Sequence, residues 1–99
     1  MTDPLTITLA APIKAHGADV STLTLRPPGG KDVRELGFPF KLMTDESIVM
    51  QTEIVAHYIT RLAGVPMSSV DQLDPSDFNM LAWAVTGFFL KSAAATATS

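Results

Sequence analysis

Apolar and polar residues alternate at the start of the chain. In Leu5-Thr6-Ile7-Thr8-Leu9 every second residue is aliphatic, the period of a half-buried strand. Val20–Leu25 alternates again, with Leu23 and Leu25 on one side and Thr22 and Thr24 on the other. Pro12 suits an edge or a loop but not a central strand. His16-Gly17 lies between the two stretches, and Gly17 can take the positive φ of a tight turn. The pattern predicts an N-terminal β-hairpin with strands at about 5–10 and 20–26. A lone hairpin is marginal in water, so Leu5, Ile7, Leu9, Leu23 and Leu25 need helices to cover them.

After Pro27-Pro28-Gly29-Gly30 the period changes from two to that of a helix. A short helix is predicted at about 31–36, stopped by Gly37. Phe38-Pro39-Phe40 reads as a loop whose rings tuck back onto the core. A longer helix is predicted at about 46–63, capped by Thr44 or Asp45. Ile48, Val55, Ile59 and Leu62 form its apolar face, flanked by Ile54 and Tyr58. Glu53, His57, Thr60 and Arg61 lie opposite. Gly64 takes the left-handed position after it, and Pro66 prevents continuation. A short helix at about 67–73 follows, with Ser68 or Ser69 near its cap. The last helix, at about 75–90, has the clearest start: Asp74 as N-cap, Pro75 at the first helical position and Asp77 in the first turn. The fold class is α+β, a single small domain over 1–91. A disordered tail rich in Ala, Thr and Ser is expected at 92–99.

The last helix differs from the others. Phe78, Leu81, Ala82, Val85, Phe88 and Phe89 span about 120° and form its core face. Met80, Trp83, Ala84, Gly87 and Leu90 form a second apolar face. From Phe78 to Leu90 only Asn79 and Thr86 are polar. A helix apolar all round is buried in its own protein or in a partner. Three uses of Met80, Trp83, Gly87 and Leu90 follow: a client site, a contact between copies of the chain, or a core in which Trp83 packs on the 46–63 helix or under Phe38 and Phe40.

Composition narrows the function. Of the 99 residues 46% are apolar and 17% charged, which excludes a chain disordered throughout. The net charge of −3 argues against nucleic-acid binding. Residues 45–90 hold six carboxylates against Arg61 alone. The uncharged run Phe78–Leu90 falls short of the ~20 residues of a membrane span, and the first residues lack the pattern of a signal peptide. With no cysteine there is no disulfide, thiolate zinc site or cysteine nucleophile. The absence of cysteine is compatible with the cytoplasm. His16 reads as a turn residue and His57 as a surface residue. Gly29-Gly30-Lys31-Asp32 lacks the first Gly and the Ser or Thr of a phosphate loop. Asp71, Asp74 and Asp77 lack calcium-loop spacing, and the last two serve as caps. The chain is expected not to be an enzyme and to hold no cofactor or metal.

The order of landmarks is more specific than any one of them. It comprises Ile7-Thr8-Leu9, Pro12-Ile13, Gly17 and Leu23-Thr24-Leu25-Arg26-Pro27-Pro28. Asp32-Val33-Arg34-Glu35-Leu36-Gly37 and Leu62-Ala63-Gly64-Val65-Pro66 follow. Val70-Asp71-Gln72-Leu73-Asp74-Pro75-Ser76-Asp77-Phe78 then leads into the Ala-rich last helix. This series, over about 5–90, resembles the phage tail assembly chaperone family of Mu-like and P2-like contractile-tailed phages and prophages. Pro28-Gly29-Gly30 departs from it as a more flexible connector than usual.

The resemblance implies a non-catalytic protein that binds the apolar, helical tape-measure protein and keeps it soluble during tail-tube assembly. It also implies the bacterial host cytoplasm as location, absence from the mature virion, and a longer form of the chain made by ribosomal frameshift. Phe88-Phe89-Leu90-Lys91 is a stretch that a slippery codon run could encode. A homo-oligomer is expected. The competing readings are a structural tail or baseplate component and a small protein-binding adaptor.

Overall fold

The computed structural model describes residues 4–98, with side chains described from 4 to 90. It has the predicted α+β architecture, opened by the antiparallel pair β1 (Leu5–Ala15) and β2 (Ala18–Leu25). Both strands reach the turn, so β1 extends beyond the predicted residue 10. His16 and Gly17 form that turn, both at positive φ (54° and 77°), the geometry that matches strand twist in a two-residue hairpin. Thr8 pairs with Thr22, but Ile13 pairs with Val20. Four residues, Leu9 to Pro12, therefore oppose Ser21 alone. Pro12 sits in this bulge, where it has no ladder hydrogen bond to forfeit. Leu9, Ile13, Ala15, Leu23 and Leu25 are buried, whereas Ile7 is half-buried and Leu5 stays 40% exposed.

Helix α1 (Gly30–Leu36) begins where the Asp32 carboxylate accepts the Gly29 N–H at 2.8 Å. It stops at Gly37, whose φ is 84° and whose N–H reaches the Val33 carbonyl.

The next segment corrects the sequence expectation. Residues 46–50 are not helical. Phe40–Leu42 (β3) and Ile48–Met50 (β4) form a second antiparallel hairpin. Asp45 accepts both the backbone N–H and the hydroxyl of Ser47, so it closes an Asx turn rather than capping a helix. Glu46 adopts φ 69°, and the Met43 N–H donates to the Ser47 carbonyl. The β-branched Ile48 and Val49 then favour a strand.

Helix α2 (Thr52–Ala63) consequently starts six residues later than expected. It buries Val55, Ala56, Tyr58, Ile59 and Leu62 and ends at Gly64 in the left-handed conformation. Helix α3 (Met67–Val70) is one turn, shorter than the predicted 67–73. Ser69 does not cap it; its buried hydroxyl donates to the Lys14 carbonyl at 2.6 Å. Helix α4 (Pro75–Thr98) completes the fold. The tail expected to be disordered, 92–99, falls outside the residues whose side chains are described.

The first hairpin wraps the C-terminal turn of α2. The Arg26 N–H donates to the Leu62 carbonyl, and a ring nitrogen of His16 lies 3.0 Å from the Gly64 carbonyl. The core lies between this hairpin, α2 and α4, around Leu25, Val55, Tyr58, Ile59, Leu81 and Val85.

Candidate functional site

The orientation of α4 is fixed at its first turn. Asp74 caps it, its carboxylate accepting the N–H and hydroxyl of Ser76, and this holds the Asp74 carboxyl below its ordinary pKa. Asp77 does more than complement the helix dipole. It is fully buried, and its carboxylate accepts the N–H groups of Ala10 and Ala11 at 2.9–3.1 Å. These are the surplus amides of the β1 bulge, left without ladder partners. The bulge and the carboxylate satisfy one another.

With that turn anchored, Leu81, Ala82, Val85 and Phe88 are driven into the core, and Phe78 and Phe89 are half-buried beside it. Phe89 sits edge-on to Tyr58, Phe38 and Phe40, with ring centroids 5.7–6.0 Å apart. Phe89 thus takes the aromatic contacts considered for Trp83. Trp83 is 53% exposed, Met80 44% and Leu90 37%. Gly87 is half-exposed, and a Cβ added to it would meet nothing within 4 Å. The four residues lie within one ~80° sector of the helix, with Gly87 as a notch between Trp83 and Leu90. Their polar neighbour is Asn79. Thr86, the other polar residue of this stretch, is fully buried and donates to the Met50 sulfur at 3.2 Å. The face is therefore continuous, uncharged and open.

Two features escaped the sequence reading. Asp32 is buried and binds Arg26 through two bonds of 2.9 and 3.1 Å, and Arg61 at 3.2 Å; Arg61 also reaches Glu35 at 2.6 Å. This clasp joins the end of β2, α1 and α2. The Arg26 guanidinium and the Gly29 N–H hold the Asp32 carboxyl far below the usual carboxylate range. Arg61, read as a solvent-facing residue, is part of it. Tyr58 donates its hydroxyl to the Gly37 carbonyl nearby, and burial raises its pKa. The second feature is the apolar surface on and beside the second hairpin. Leu42 is 67% exposed, Met43 48% and Val49 46%. Phe38 remains 55% exposed rather than tucking fully onto the core.

His16 is at the turn, as expected, and His57 pairs with Glu53 at 3.5 Å on the exposed side of α2. Among the described residues no group of three or more His, Asp or Glu is placed to hold a metal ion. No helix among them is long and apolar enough to cross a membrane. What the arrangement can do is bury apolar surface. Covering the exposed half of Trp83 alone removes ~100–130 Å² from water, ~3 kcal/mol gross.

The described residues form an α+β fold that presents an uncharged apolar helix face. The family model described as phage tail assembly chaperone proteins, E, or 41 or 14, matches residues 6–90. The chain belongs to this phage tail assembly chaperone family, which is non-catalytic. Membership implies phage tail proteins as partners. No match is found among curated proteins or among solved structures.

Proposed function

We propose that this chain binds the tape-measure protein and keeps its apolar helices soluble while tail-tube subunits assemble around it. The face formed by Met80, Trp83, Gly87 and Leu90 is the proposed client site. One observation carries this reading: α4 exposes a large aromatic and two long aliphatic side chains with no charge among them. Exposed apolar area of this kind marks interaction sites in proteins otherwise covered by polar groups. Met80 adds a flexible contact, which suits clients of varied sequence. A helix laid across Trp83 and Leu90 finds room for its own side chain above Gly87.

The work is done in the host cytoplasm, and the chain leaves before the particle is finished. A frameshifted longer form would carry the same α4 face and add a further segment. The gene's nucleotides test that point: a slippery run over the codons for Phe88–Lys91 supports it, and a non-repetitive stretch removes it.

The client site is tested by co-expression with the tape-measure protein. Wild type is expected to raise its soluble fraction. Trp83→Asp is expected to fold, because Trp83 is outside the core, and to lose that effect. A folded Trp83→Asp variant that still keeps the client soluble overturns the assignment. Finding the chain in purified particles would favour a structural tail component instead.

A further inference from the structure

The first hairpin is a two-stranded sheet, so each of its strands has an outer edge. Which amides lie on that edge follows from chirality. In a strand of L-residues, all side chains on one face go with N–H groups that point to the same side. The two-residue turn makes Ala15 and Ala18 a hydrogen-bonded pair. The core-facing residues of β1 therefore direct their N–H and C=O groups at β2, and the solvent-facing residues direct theirs outward. Ala10 and Lys14 belong to the second set, and their N–H groups go outward to Asp77 and Gln72. The Lys14 carbonyl accepts from Ser69 and Gln72. Side chains from residues 69–77 thus stand in for a third strand along residues 10–14, the usual way of blunting an edge.

Thr6 and Thr8 are the next members of the same set, and this stretch is not blunted. They face Thr24 and Thr22 across the sheet. The Thr6 and Thr24 hydroxyls approach to 3.1 Å, which fits a pair that exchanges no backbone bond. Among the described residues no group takes the outward N–H and C=O of Thr6 or Thr8. The core-side face here is unfinished as well: Leu5 is 40% exposed and Ile7 only half-buried. Asp77 marks the side of α4 that meets β1. Around the helix Ala84 lies ~20° from Asp77 and Met80 ~60°, so the flank of α4 next to this edge carries a small and a flexible apolar side chain. The edge of β2 is a different case. It curves around the end of α2, which holds the Arg26 N–H through the Leu62 carbonyl and meets the His16 ring through the Gly64 carbonyl.

The open row alternates partial positive N–H with partial negative C=O at the spacing of a ladder. What complements that charge pattern along its length is another extended backbone. We infer that the Leu5–Thr8 edge of β1 takes an extended segment of a partner protein, apolar at every second position, as a third strand. Its apolar residues lie on the side of Leu5 and Ile7, and its other residues beside Thr6 and Thr8. Asp77 closes the slot at the bulge. Main-chain groups build this site, so it does not rest on the helical client assigned to the Trp83 face.

The test is amide hydrogen exchange by NMR on the full chain. The probe is a capped peptide of about seven residues, with valine and threonine alternating between terminal lysines. In the free chain Thr6 and Thr8 are expected to exchange far faster than Ile7, whose N–H is in the ladder. Saturating peptide is expected to slow both about 10-fold or more. Two further peptides carry N-methyl groups, one on its valines and the other on its threonines. Only one edge of an added strand faces β1, so one of them loses binding and the other keeps it. Thr8→Pro removes an N–H that the β1–β2 ladder does not use, and is expected to fold and to lose the peptide. Thr8→Val keeps that N–H and should bind as wild type does. If Thr8→Pro does not fold, the methylated peptides decide the matter on wild type. Slow exchange of Thr6 and Thr8 in the free chain, no slowing at ~1 mM peptide, or equal binding of the two methylated peptides overturns the inference. So does protection that rises with protein concentration alone, which gives the edge to a second copy. Tape-measure solubility is read separately, so the client site and this edge can fail independently.

Discussion

The chain contains two hairpins, and they are held in opposite ways. β1–β2 is tied from its turn to its bulge and again where it ends. Asp77 takes its bulge amides, Gln72 the Lys14 N–H, Ser69 the Lys14 carbonyl, and Leu62 the Arg26 N–H at its far end. Its aliphatic face is in the core. β3–β4 has three pairs of residues in its ladder and is held mainly at its root, where Gln51 donates to the Pro39 and Phe38 carbonyls. The ladder physics is the same in both, so the difference lies in what covers each hairpin. A hairpin becomes part of a domain by surrendering one face and its irregular amides to other elements. Where neither happens, it remains an arm.

The sharpest way to break this contrast is Asp77→Ala. It leaves two N–H groups of the part-buried bulge without their acceptor and opens a cavity where Asp77 was, at a cost of about 3 kcal/mol. Urea denaturation should show the unfolding free energy falling by that amount at an unchanged slope. Asp77→Asn keeps an acceptor and should lose less.

Asp32→Asn opens the clasp between β2, α1 and α2. Arg26 is half-exposed and Arg61 a third exposed, so the loss should be about 2 kcal/mol rather than that of a fully buried pair. The same group sets an acid dependence. Its folded pKa is depressed, so its stabilisation is complete above the unfolded carboxylate value of ~4 and fades as pH falls below it. Denaturation of wild type and Asp32→Asn at pH 7 and pH 3 should show the gap between them shrinking in acid.

Smaller effects belong to the exposed regions. Trp83→Asp should change stability by under ~1 kcal/mol, and Leu42→Asp by about 0.5 kcal/mol or less. Larger losses in the same denaturation assay would mean that these side chains are covered. Hydrogen exchange offers the direct comparison. Amides of β3–β4 should open through local fluctuation, and the ladder amides of β1–β2 near the global free energy.

Much of this was legible from short-range signals. The His16-Gly17 turn, the stop at Gly64 and the Asp74-Pro75 start each announce themselves within a few residues, and the structure has them in those roles. The apolar strip on α4 was legible too, since it is a matter of helical period. The second hairpin was not. Strands of three residues are too short to show an alternation, and Asp45-Glu46 is as good a helix start as it is a turn. Asp77 was recognised as a first-turn acid, but it meets its amide partners 66 and 67 residues away. Arg61 lies on the polar side of α2, and only the fold shows that this side faces Asp32. Such pairings depend on which elements meet, and the sequence pattern is silent on that.

The placement of Trp83 has a practical consequence. It is the only tryptophan in the chain, and about half of it faces water. Its fluorescence in the free protein should therefore be red-shifted and open to collisional quenchers. Any molecule that settles on the α4 face changes both properties. The protein carries its own optical probe, unlabelled, at the place where client binding is proposed.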